Sequence, residues 1–190
     1  MEERDPEKLW NSYDRLASYL IPIKPEVEQM LVELGERIVE CSSSVDTKGK
    51  GCGIGGLIET SIAITTKMRT LAKTFNIDVS QESIITVGLF HALGMIGDRK
   101  TSYLVDQTSS WHREKGMLYT YNEECSRAPV PHRSLRLLQE FGVKLTSDEW
   151  TAIAISHGAH REENRPYVGF EPKLAILVTQ ARQWVFGRDI

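Results

Sequence analysis

Three histidines, His91, His132 and His157, each stand at the edge of an apolar helical run rather than on a polar face. Imidazole can ligate a transition metal, move a proton near neutral pH or, when charged, contact a phosphate. A lone histidine at a helix end is more often a hydrogen-bonded structural residue, but three strengthen the case for a shared site. Two polar segments could join it. Residues 111–122, WHREKGMLYTYN, supply aromatic faces in Trp111, Tyr119 and Tyr121, cations in Arg113 and Lys115, and the amide of Asn122. That mixture suits a stacked base beside a phosphate, and a packed surface loop with a solvated charge run is its plainer reading. In HREENRPY, Arg161 and Arg165 follow His157 and could close over the same pocket, although salt bridges with Glu162 and Glu163 would occupy them equally well. Arg133, directly after His132, and Arg182 complete the basic candidates.

Helices must position these groups. Asp5-Pro6 reads as an N-cap followed by proline at the first helical position, with Leu9, Tyr13, Leu16 and Leu20 recurring at helical spacing. Pro25 opens a second helix striped by Val27, Met30, Leu31, Leu34 and Ile38. Residues 42–56, SSSVDTKGKGCGIGG, form a glycine-rich loop before a helix over about 57–75. Backbone N–H groups of such a loop can cradle phosphate, but this one matches neither the P-loop nor the dinucleotide pattern, so it reads as a flexible connector. From Ser80 a helix apolar on most sides runs to His91, which implies a buried central helix. Residues 99–130 read as a polar and aromatic excursion with a short β-hairpin. Helical pattern resumes at Arg133 and ends near Gly142, Thr146 to Glu149 forms a capping box that starts a helix ending at His157-Gly158, and Glu171-Pro172 begins the last one. The expected fold is mainly α, a helical bundle with that excursion. Residues 1–47 are expected to form an N-terminal helical extension packed as one compact unit with a helical domain over 48–190.

Composition narrows the function classes. With 41% apolar and 26% charged residues the chain is ordinary globular protein, and a net charge of -3 argues against the broad basic surface that a nucleic-acid polymer requires. Cys41, Cys52 and Cys125 form no CxxC pair, which points to reduced thiols in a cytoplasmic protein. The acidic start, MEERDPEKLW, is expected to be neither signal nor transit peptide, and no apolar stretch is long enough for a membrane span.

Several stretches in order, GGLIETS, ESIITVGLFHALGMIGD, WHREKGMLYTYN, HRSLRLLQEFGVKLTSDEW, AISHG and LAILVTQARQW, resemble the HD-domain superfamily of metal-dependent phosphohydrolases, in the compact form common in bacteriophage genomes. The resemblance spans roughly residues 48–188 and implies an HD-like helical bundle. It also implies where metal ligands would stand. The pattern GGLxEHS places a histidine where this chain has Thr60, the His-Asp dyad falls on His91 and Ala92, and the lysine of HDxGK on Met95. His132 approximates a further family histidine, His157 matches the one before a glycine-containing turn, and the aspartate of ADxW falls on Arg182. Threonine ligates poorly, alanine not at all, and arginine brings a positive charge to a cation's place. Arginine can still bind phosphate oxygens with its planar donor fork, but it cannot generate hydroxide.

The resemblance therefore implies a catalytically inactive protein that needs no cofactor and binds a nucleotide or cyclic nucleotide. His91, His132, His157 and Arg182 would lie near the phosphates and the Trp111 segment near the base. If the chain is viral, sequestering a host signalling nucleotide in the host cytoplasm would silence a nucleotide-activated defence. One alternative is a divergent phosphohydrolase in which His91, His132 and His157 hold manganese or zinc, completed by Asp98 or Glu59. Another is a scaffold for a host protein, its acidic N-terminal helices serving as that contact or as a homo-oligomer interface.

Overall fold

The computed structural model describes residues 4–158 and 160–187, so residues 1–3 and 188–190 of the two expected units, and Ala159, lie outside the described residues. The chain is mainly helical with one two-stranded antiparallel sheet. Its first helix, α1 (Pro6–Ser18), begins where the Asp5 carboxylate accepts from the Lys8 N–H at 3.1 Å. α2 (Glu26–Glu40) buries the expected stripe of Val27, Met30, Leu31, Leu34 and Ile38. α3 (Gly56–Thr74) and α4 (Gln81–Phe90) form the centre: α4 buries every residue from Ile84 to Phe90, and Ser80 caps it through the Ser83 N–H. Side chains of α1 and α2 share one continuous core with α3, α4 and the later helices.

After α4 the chain tightens into a 3-10 turn over Leu93–Ile96. The excursion follows, with β1 (Leu104–Asp106) paired to β2 (Tyr119–Tyr121), Val105 opposite Thr120. Between them lies a short helix that periodicity did not reveal, α5 (Ser110–Glu114). α6 (Val130–Glu140) starts three residues before Arg133, because Pro131 fits the first helical turn, where its missing N–H costs nothing. The Thr146–Glu149 capping box is present in both directions and opens α7 (Ser147–Ala154). A second 3-10 turn over Glu162–Tyr167, also unforeseen, leads to α8 (Lys173–Phe186). α8 lies along α3, and α7 packs on α4, α6 and α8.

Glycine decides one close approach. A Cβ on Gly94 would stand 2.3 Å from the Val130 carbonyl oxygen and 2.8 Å from the Ser134 nitrogen, both backbone atoms. The turn after His91 therefore sits directly against α6, and the Gly94 N–H donates to Ser134 Oγ at 2.8 Å.

The segment read as a flexible connector is instead tied down. Ser42 Oγ donates to the Ser44 carbonyl at 2.6 Å and accepts from the Gly53 N–H at 2.9 Å. The Leu118 and Tyr119 N–H groups reach the Val45 carbonyl at 2.9 and 3.1 Å, and the Thr47 N–H reaches the Gly116 carbonyl at 2.9 Å. The loop is thus laced to the hairpin, which its sequence could not show because the partners lie some seventy residues away. No helix among the described residues is long and apolar enough to cross a membrane.

Candidate functional site

A cavity of about 1220 Å³ opens where α3, the end of α4, the glycine-rich loop, the hairpin, the end of α7 and α8 meet. Of the candidates named from sequence, six line it: His91, Tyr121, His132, His157, Arg161 and Arg182. Thr60 and Ala92 are in the wall as well.

Others are elsewhere. Trp111 packs edge-on to His112 and under the Lys115 ammonium at 5.9 Å, outside the wall with Arg113 and Tyr119. Asn122 shapes the hairpin's exit, its amide donating to the Ser102 carbonyl at 2.9 Å and its carbonyl accepting from the Glu124 N–H. Arg165 is exposed on the second 3-10 turn and also outside the wall. Arg133 is buried and structural: Nε donates to the Gly94 carbonyl at 2.9 Å, Nη1 to the carbonyls of Ser126 and Ala128, and the guanidinium lies 3.6 Å from the Tyr103 ring centroid. Arg133 is thus held by protein groups behind the cavity wall and is not among the lining residues.

Sequence reasoning missed Lys48, Lys50, Tyr103 and Ser156, all of which line the cavity. The signal for the lysines was the KGKG run in the glycine-rich loop, whose cations the connector reading set aside. Tyr103 and Tyr121 form a tilted ring pair with centroids 5.0 Å apart in the hairpin's part of the wall. Four cations, Lys48, Lys50, Arg161 and Arg182, face two carboxylates, Asp46 and Glu163, in the lining of a chain whose net charge is -3. Asp46 is partly spent within its loop, Oδ1 accepting from the Lys48 and Gly49 N–H groups at 2.8 and 3.0 Å.

His91 is fully buried. Its Nδ1 lies 3.1 and 3.0 Å from the carbonyls of Val87 and Gly88, one helical turn back. Carbonyls only accept, so Nδ1 carries the proton and Nε2 holds a bare lone pair. That Nε2 has no hydrogen-bond partner. A buried polar atom left so costs about 1–3 kcal/mol. Burial first, then the positive charge of Arg182 and that of His157, hold the ring's pKa well below the usual histidine value of 6.5. The folded protein thus binds a proton at His91 less readily than the unfolded chain does. Stability is complete above about pH 6.5 and falls as pH drops below it, by up to about 1.4 kcal/mol per unit until the folded ring titrates. Urea unfolding from pH 7.5 to 5 should show this slope in the wild type and a shallower one in His91→Asn; parallel curves would mean that His91 is not the group responsible.

The three histidines share the cavity, yet among the described residues no three His, Cys, Asp or Glu side chains converge so as to hold a metal ion. The carboxylates that could have completed such a set are engaged elsewhere. Asp98 accepts from the Lys100 and Thr101 N–H groups and faces Arg136 at 3.7 Å, and Glu59 pairs with Arg4 at 2.7 Å. At the positions where the sequence resemblance would put metal ligands, Thr60 Oγ1 is bonded to Ser43 Oγ at 2.7 Å, Ala92 offers no donor atom, and Arg182 is a cation. These residues do not fit a divalent ion.

Compared with protein-family models, curated proteins and solved structures, the chain gives no significant match.

Proposed function

We propose that the cavity binds a phosphorylated nucleotide and holds it intact, the chain being a degenerate relative of the HD phosphohydrolases that sequesters a cyclic nucleotide. The observation that carries this reading is the excess of cations in the wall of an otherwise acidic protein. Such a wall concentrates anions, and arginine and lysine give charge-assisted hydrogen bonds to phosphate oxygens. The Tyr103–Tyr121 pair adds aromatic faces for a base. Volume favours a ligand larger than a mononucleotide, since sites for drug-sized molecules run to roughly 300–1,000 Å³ and this cavity exceeds that. Hydrolysis would need water made nucleophilic, and the residues at the metal-ligand positions cannot hold the ion that does so.

The test is to warm metal-free and manganese-treated protein with cyclic di-AMP, cyclic di-GMP, ATP and GTP, then denature it and chromatograph what is released. A bound ligand at a hundred times its Kd stabilises by about 2.7 kcal/mol, a rise in Tm of roughly 5–10 °C. Recovery of intact ligand from metal-free protein is the expected result. Cleavage that needs manganese would establish the hydrolase alternative, and no stabilisation by any of the four would leave the scaffold reading. Arg161→Ala should weaken the ligand about tenfold, one charge-assisted contact on an exposed side chain, while Arg165→Ala, five positions from His160 but outside the wall, should leave affinity unchanged.

A further inference from the structure

The cavity is polarised along its depth. Lys48, Lys50 and Arg161 are exposed, whereas His91 and Ser156 are 0% and 1% exposed at its inner end. Both inner groups carry a polar atom without a partner, His91 Nε2 and Ser156 Oγ. Nδ1 is turned back onto the carbonyls of α4, and His91 is in the cavity wall, so Nε2 is the ring nitrogen left for a ligand there. An imidazole nitrogen with a bare lone pair accepts hydrogen bonds and repels other lone pairs, so it has nothing to offer a phosphate oxygen. The expectation that His91 lies against phosphate therefore conflicts with the direction of its only proton.

We propose that the inner end of the cavity recognises a hydrogen-bond donor on the ligand, a ribose hydroxyl or a base's exocyclic amine, given to His91 Nε2, with Ser156 Oγ as a second partnerless polar atom of the same wall, while the phosphates stay at the cationic outer end. This rests on the nucleotide-binding reading and deepens it, because it fixes the orientation of the ligand and the chemical group by which it is chosen. A site built around a buried acceptor discriminates strongly against an analogue lacking the matching donor, since the acceptor is then left bare in the complex. Ser156 Oγ can donate or accept, so it accommodates the hydroxyl's or amine's remaining valence. Arg182 and His157, whose charges both oppose a second proton on His91, favour the ring's neutral, accepting form.

The experiment is a titration calorimetry series on wild-type protein with cyclic di-AMP, cyclic di-GMP and ATP as parents, each beside its 2′-deoxy analogue and the analogue that lacks the exocyclic amine, unsubstituted purine for adenine and hypoxanthine for guanine. The ATP set also includes the 3′-deoxy form. The same series is run on His91→Asn, whose amide reproduces the Nδ1 donor and removes the Nε2 acceptor. The expected result is that one deletion, hydroxyl or amine, weakens wild-type binding by about tenfold or more, and that the same deletion costs nothing in His91→Asn. If a parent binds and every analogue binds the wild type equally well, the donor-recognition proposal is overturned and the nucleotide reading stands. If no parent binds, both fall. Should His91→Asn fail to show a cooperative melt, the wild-type analogue series decides alone.

Discussion

Glu149→Ala should cost about 3–5 kcal/mol of stability, the effect of leaving a buried partner charge uncompensated. The Glu149 carboxylate is almost fully enclosed, and Lys24, from the turn between α1 and α2, reaches it at 3.0 Å. Both oxygens are in use. Oε1 accepts from Ser83 Oγ at 2.9 Å, and Oε2 accepts from the Thr146 N–H at 2.9 Å as well as from Lys24. One side chain therefore closes the capping box of α7, meets the first turn of α4 and holds the α1–α2 turn. Truncation removes the cap and strands the Lys24 ammonium, which keeps only the Lys144 carbonyl. Replacing both partners together, Lys24→Met with Glu149→Leu, should recover most of the loss, because no unpaired charge remains to be buried. Urea unfolding of the two variants measures this. A Glu149→Ala loss below about 1 kcal/mol, typical of a surface pair, would mean that water reaches the site.

Arg133→Met is the second large effect, expected to cost about 3 kcal/mol or more with ligand binding affected only through that loss. The guanidinium joins three carbonyls on two separate segments, Gly94 after α4 and Ser126 and Ala128 before α6, and packs its face on Tyr103. Methionine keeps the packing volume but satisfies none of those oxygens, and hydrogen bonds from a charged donor are worth about 1.5–3 kcal/mol each. Thermal denaturation against calorimetric affinity separates the roles. A variant of normal stability that fails to bind nucleotide would return Arg133 to the binding site.

The same arginine shows where sequence reading reaches its end. Its place one residue after His132 suggested a shared role, yet on α6 the two side chains diverge, His132 exposed in the cavity wall and Arg133 buried behind it. Adjacent helical residues point about 100° apart, so proximity in sequence is evidence against a common target. The Trp111 segment stands apart in a different way. Its composition suits a ligand, but on α5 Trp111 lies exposed beside His112, and of the aromatics named there Tyr121 is the one that lines the cavity.

What the sequence by itself determined was the succession of helices. Their signals are local: the Asp5 and Ser80 caps, the Thr146–Glu149 box, the Pro172 start and the apolar stripes all act within one or two turns, and each is found where its spacing put it, whereas the start of α6 at Val130 lies three residues before the expected Arg133. The hairpin was legible for the same reason, although α5 and the second 3-10 turn, too short to show a period, were not. Only the tertiary structure decided which polar groups meet. The KGKG loop joins the cavity wall because backbone bonds of its Val45 and Thr47 with Gly116, Leu118 and Tyr119 anchor it on a hairpin far along the chain, and no pattern within fifteen residues can report a contact across seventy. His91 was visible as a histidine at a helix end, but whether its free nitrogen would face protein, metal or ligand depended on where α4 ends relative to α7 and α8. That placement arises from long-range packing of apolar surface, which is non-directional and leaves no periodic trace in the residues it brings together.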